Sequence, residues 1–193
     1  IRVNIAALKS KQPHPQKKGV TVVNPSLTEL TNKVLACKPP DMERLDHLIT
    51  RNVSEMTASN ITAILFHCSK QRIPLTNNQL DLLIRFLEKR DEKLWNKQAS
   101  NLLFSCRNLK GNEAAHSLHL LDSISMKMSK AMQGPFCAQE IGNSLYGLQH
   151  FRNSSPEVEN LLRILTNKII TCQETMNPQE MCNALFGLKH INA

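Results

Sequence analysis

Glycine is scarce in this chain, with six in 193 residues. That is too few for glycine-rich phosphate loops or for an architecture dense in β-turns. Aromatic side chains make up only 4%. Charged residues interrupt every apolar stretch, which excludes a membrane-spanning helix of ~20 residues. No Cys-x-x-Cys pair occurs, so zinc-ribbon and dithiol redox sites lack their basic unit. The nucleophile-elbow, zinc-protease and phosphate-loop signatures are missing as well. Acids and serines are scattered without forming a catalytic set. The expectation is a protein that is not an enzyme and holds neither metal nor cofactor.

Acid is also missing from one whole segment. Residues 1–24 contain Arg2, Lys9, Lys11, Lys17 and Lys18 and no Asp or Glu, so they supply five of the eight net positive charges. Pro13, Pro15 and Gly19 break any helical period there. The segment reads as an extended basic arm suited to phosphate, or as a solvated tail. From residue 25 onward, 19 basic residues face 16 acidic ones, so the body is nearly neutral. Ile1 stands where a Met would open a primary product, and an amphipathic pattern still runs at Ala193. Both suggest a piece of a longer or processed protein, and a removed organelle-targeting presequence fits the basic start.

The 41% of hydrophobic residues excludes a wholly disordered chain, and an internal repeat organises them. Gln139-Glu140-Ile141-Gly142-Asn143-Ser144-Leu145-Tyr146-Gly147-Leu148-Gln149-His150-Phe151 matches the segment from Gln179 to Ile191 at an offset of 40, with seven of thirteen positions identical. Asn101 to Asn108 aligns on Asn143 at an offset of 42, and Met56-Thr57-Ala58 with Leu65-Phe66-His67-Cys68 aligns at 80. A faint first copy runs from Asn32 to Cys37. Between copies lie second helical patterns, from Asp41, Asn78, Asn112 and Ser155, opened by capping residues or by Pro156 at the first helical position. The result is an all-α chain of nine helices, four pairs and an unpaired ninth, over residues 25–193. Such pairs bury their apolar faces by stacking on neighbours, which predicts an α-solenoid of 38–42-residue repeats; a compact helical bundle is the alternative.

Cys37, Cys68 and Cys106 share one repeat position that Leu148 and Leu188 fill later, so they read as small apolar core residues. His116 and His119, spaced i, i+3, read as a solvated or partly buried pair. Projected at 100° per residue, Ile141, Ser144, Leu145 and Leu148 form a core stripe, as do Met181, Ala184, Leu185 and Leu188. Opposite lie columns of candidate RNA-binding residues: Gln139, Asn143, Tyr146 and His150; Gln179, Asn183, Phe186 and His190; Lys97, Asn101, Phe104 and Asn108; and Lys70. Gly147 and Gly187 share that face. Amides and bases can hydrogen-bond base edges, rings can stack bases, and a small residue lets a partner approach. The rings serve equally well as inter-repeat core, the glycines as close helix contacts, and the asparagines as partners of nearby backbone.

The recurring Gln-Glu-x-x-Asn-x-Leu-(Tyr/Phe)-Gly-Leu-x-His resembles octotricopeptide-type repeats and the related helical repeats of FAST-kinase-like and RAP-domain proteins, over roughly residues 26–193. The resemblance implies an α-solenoid in mitochondria or chloroplasts. It implies binding of organellar RNA for maturation, stability or translation, in some members within organellar ribosomes. It also implies that the first helix of each pair lines the RNA groove, a role that falls on Asn101, Asn143 and Asn183 and their neighbours. No nuclease-like RAP region accompanies the repeats. A protein scaffold in a large organellar assembly is the alternative function.

Overall fold

A computed structural model describes residues 26–36, 41–109, 114–131, 134–152 and 155–191. Among them are nine helices and no strand: α1 (Leu27–Ala36), α2 (Met42–Asn52), α3 (Ala58–Gln71), α4 (Asn77–Lys89), α5 (Asn96–Ser105), α6 (Ala114–Ala131), α7 (Ala138–Tyr146), α8 (Pro156–Ile170) and α9 (Pro178–Leu188). The expected arm with Arg2, Lys9, Lys11, Lys17 and Lys18 lies outside the described residues, as does Cys37. None of the described helices is long and apolar enough to cross a membrane.

The helix starts are written into the sequence. Thr57 and Thr76 each accept from the backbone N–H three residues on, while Asn60 and Gln79 reach back to the cap N–H. Asn177 and Glu180 form the same reciprocal pair at α9. Gln98 and Glu140 accept from the backbone N–H of Trp95 and Cys137 at α5 and α7. The repeated Glu of the motif is therefore a helix cap. A second acid, three residues before a cap, clamps the previous repeat. Glu92 accepts from the Ala58 N–H at 2.8 Å and Glu174 from the Ala138 N–H at 2.9 Å, satisfying helix-end donors of α3 and α7.

Packing follows a two-row order. α1, α3, α5, α7 and α9 each lie against the next in that series, and α2, α4, α6 and α8 do the same. One core of buried side chains runs between the rows from Val34 to Ala184 and includes Leu83, Ile84, Leu102, Leu103, Leu120, Ile124 and Leu161. Cys68 and Cys106 sit in it, 2% and 0% exposed, and burial pushes both thiols up to about 12. His116 and His119 are each paired with a carboxylate of α4, at 2.6 Å to Asp81 and 2.7 Å to Glu88.

One expectation about faces needs correction, and one left open between two readings is decided. Met181 and Leu185 do not join a core stripe: they are 47% and 64% exposed, because α9 has α7 as its chief neighbour and nothing described covers its far side. The glycine column does not face a partner. A Cβ on Gly147 would lie 1.9 Å from the Leu103 carbonyl oxygen, and one on Gly187 would lie 1.9 Å from that of Leu145. These glycines let the backbones of successive first helices touch.

Candidate nucleic-acid interface

The first-row helices carry the repeat aromatics, and the rings form a continuous ladder. Phe66 to Phe104, Phe104 to Tyr146 and Tyr146 to Phe186 are separated by 5.4, 5.9 and 5.8 Å between centroids, with tilts of 31–43°. Ring faces are thus turned largely toward neighbouring rings. The ladder is half-buried until its last member, Phe186, which is 44% exposed.

Cations lie on this ladder. The Arg107 guanidinium sits 3.9 Å from the Phe104 centroid and 5.7 Å from that of Tyr146. Burial lowers its pKa below that of a free guanidinium. Lys189 lies 4.0 Å from the Phe186 centroid. Each cation is three residues after its ring, so one turn of helix places ammonium or guanidinium over the aromatic.

At the C-terminal ends of these helices a cleft of about 580 Å³ opens between α3, the 72–75 turn, α5, α7 and α9. Four of its lining residues, Ser69, Arg107, Gln149 and Lys189, occupy one repeat position, three after Phe66, Phe104, Tyr146 and Phe186. Arg72 adds a third full positive charge, and among the described residues no Asp or Glu lines the cleft. Arg72 holds a left-handed conformation, φ 57°, as the C-cap of α3, where its N–H reaches the Cys68 and Ser69 carbonyls. Glycine is the usual residue there, so the arginine is retained at a backbone cost of roughly 1–2 kcal/mol. Gln149 is 8% exposed, and its side-chain amide makes no hydrogen bond to another described residue. The Ser69 hydroxyl and Arg107 Nε also have no partner among the described residues.

Several expected site residues meet here. Asn108, Tyr146, His150 and Phe186 line the cleft. Asn108 is less open than expected, because its amide donates to the Ser69 carbonyl at 2.5 Å and caps the end of α3. Arg107 Nη2 donates to the same carbonyl at 3.3 Å. Phe104 lies under Arg107, with both sides taken by neighbouring rings. Lys70 and His190 are exposed on the same helix ends.

The remaining candidates lie apart. Lys97, Gln139 and Gln179 are exposed on the first turns of α5, α7 and α9, at the opposite helix ends. Asn101, Asn143 and Asn183 are half-buried in mid-helix, and none of their side chains bonds another described residue. Sequence reasoning passed over Arg72, Arg107 and Gln149. The signal for Arg107 was present, as a base three residues after an aromatic on a helix.

Among the described residues no group of three or more His, Cys, Asp or Glu is placed to hold a metal ion. No protein-family model matches the chain, and neither does any curated protein or solved structure.

Proposed function

We propose that this chain is an α-solenoid that binds single-stranded RNA along the C-terminal ends of its first-row helices, without chemistry of its own. The observation that carries the reading is the cleft, where Arg72, Arg107 and Lys189 converge and, among the described residues, no carboxylate stands against them. Phosphate binding depends on such local concentration of positive charge rather than on the sum over the chain. The ring spacing of 5.4–5.9 Å exceeds the ~3.4 Å rise of stacked nucleotides, so a strand following the ladder is unstacked. The Cys68 thiol at the cleft, pushed up to about 12, is a poor nucleophile, in keeping with a binding role. The motif resemblance adds the setting: an organellar protein, in mitochondria or alternatively chloroplasts, acting in RNA maturation, stability or translation or as part of a ribosome. The basic arm of Arg2, Lys9, Lys11, Lys17 and Lys18 adds phosphate contacts.

A salt titration of binding to a single-stranded RNA tests this. The wild type gives a linear log K against log salt. Replacing Arg72, Arg107 and Lys189 together by Ala lowers affinity and flattens the slope by about 0.7 per lost phosphate contact. Absence of RNA binding at ~50 mM salt rejects the reading. It would leave the protein-scaffold alternative, which one surface favours: Ile170, Leu185 and Met181 are 74%, 64% and 47% exposed at one end of the array.

A further inference from the structure

We infer that Gln149 is the base-reading residue of the cleft and that the cleft takes one unstacked nucleotide, its phosphate beside Arg107 and Lys189 and its base edge on the Gln149 amide. This rests on the RNA reading above and deepens it. Ser69, Arg107, Gln149 and Lys189 are the same position of four successive repeats, and all four line one cleft. That position is therefore the one the fold directs at a ligand beside the Tyr146 and Phe186 rings, in place of the column of Asn101, Asn143 and Asn183.

Its occupants differ in chemistry in a telling way. Arg107 and Lys189 are cations held over rings at 3.9 and 4.0 Å. Between them in repeat order stands Gln149, uncharged and more than nine-tenths buried, whose amide meets no other described residue. An amide whose residue lines the cleft and which bonds no other described residue can pair with a ligand offering a donor beside an acceptor. Sugar and phosphate do not present such a pair in one plane, whereas the exposed edge of a nucleobase does. The flanking charges suit the phosphates on either side of that base. The cleft volume of about 580 Å³ falls within the ~300–1,000 Å³ of pockets that enclose small ligands.

The test compares four dodecamers binding to the full chain: oligo(U), oligo(A), oligo(C) and an abasic ribose-phosphate chain. Wild type binds at least one base-bearing dodecamer about tenfold or more tighter than the abasic one. Gln149→Leu shrinks that ratio to about threefold or less and leaves abasic affinity and salt slope unchanged. Gln149→Met, less branched, repeats the measurement should the leucine variant melt early by circular dichroism. Equal affinity of wild type for all four dodecamers overturns the base-reading role while leaving RNA binding intact, as does an unaltered ratio in both variants. Failure of every dodecamer to bind at ~50 mM salt overturns the RNA reading and this inference together.

Discussion

Gly147→Ala should destabilise the protein, although alanine is the better helix former. The added methyl would stand 1.9 Å from the Leu103 carbonyl oxygen and 2.5 Å from its carbon. Side-chain carbons do not approach backbone atoms within 3.0 Å, so α7 must withdraw from α5 by about 1 Å. A gap of that size forfeits a quarter to a half of the dispersion energy across the contact. The contact is made by well-buried Leu102, Leu103, Ile141 and Leu145. Overpacking of this kind costs about 3 kcal/mol, and the higher helix propensity of alanine returns about 1 kcal/mol. A net loss of ~2 kcal/mol lowers the melting temperature by roughly 4–8 °C at this chain length. Circular dichroism should follow unfolding, since the single tryptophan, Trp95, is already 75% exposed and reports little. Gly142→Ala is the internal control: its methyl would lie 3.1 Å from the Glu180 carbonyl, a misfit of a few tenths of an ångström, so its stability change stays near zero. An unchanged or raised melting temperature for Gly147→Ala refutes the close backbone approach and the helix order built on it.

Other consequences are open to measurement. Arg72→Gly relieves the left-handed strain at φ 57° and should raise stability by ~1 kcal/mol in urea titration while weakening RNA binding, a trade between the two functions of one residue. Removing the inter-repeat clamps, Glu92→Ala or Glu174→Ala, deprives the Ala58 or Ala138 N–H of its acceptor and should cost ~1 kcal/mol each by the same titration. Cys68 and Cys106 should resist a thiol reagent at pH 8 that modifies the exposed Cys182 at once. Their raised pKa values also set a linkage. The unfolded chain gives up these protons near 9.0 and the folded chain near 12, so stability holds below about pH 9 and falls as the pH climbs toward 12. A melting temperature that rises between pH 9 and 11 contradicts that sign.

Much of the helical architecture could be read directly from sequence, because its signals are local. Asp41, Asn78 and Ser155-Pro156 mark where helices begin, and the structure starts α2, α4 and α8 within a residue of these. The buried position shared by Cys68, Cys106 and Leu148 also followed from repeat alignment. What sequence periodicity obscured was the partner of each face. A helical wheel separates apolar from polar for one helix against one core. A first-row helix here has neighbours in its own row as well as in the second row. That is why Gly147 and Phe104 each kept two readings, ligand face or inter-repeat contact, until the structure set Gly147 against Leu103 and Phe104 between rings. The cleft was hidden for a related reason. It gathers Ser69, Arg107, Gln149 and Lys189 from segments 38–42 residues apart, a convergence created only when the repeats stack.

Stacking also bears on the tension between a nearly neutral body and the polyanionic ligand proposed for it. Together the stretches 58–72, 96–109, 138–152 and 178–191 of α3, α5, α7 and α9 hold six basic residues and two acids. Both acids, Glu140 and Glu180, are bound to cap N–H groups at the ends of their helices far from the cleft. The second-row stretches 41–52, 77–89, 114–131 and 156–170 hold eight of each sign. Glu92 and Glu174 add two more acids at the N-terminal ends of α3 and α7. The excess of positive charge therefore lies at the C-terminal ends that form the cleft, while the second-row stretches are balanced. A phosphate at the cleft lies within a Debye length of ~8 Å of the cleft cations, while much of the second-row acid is screened from it. The net charge of the body is therefore a poor guide to its partner, and the row and helix end at which each charge falls are the informative quantities.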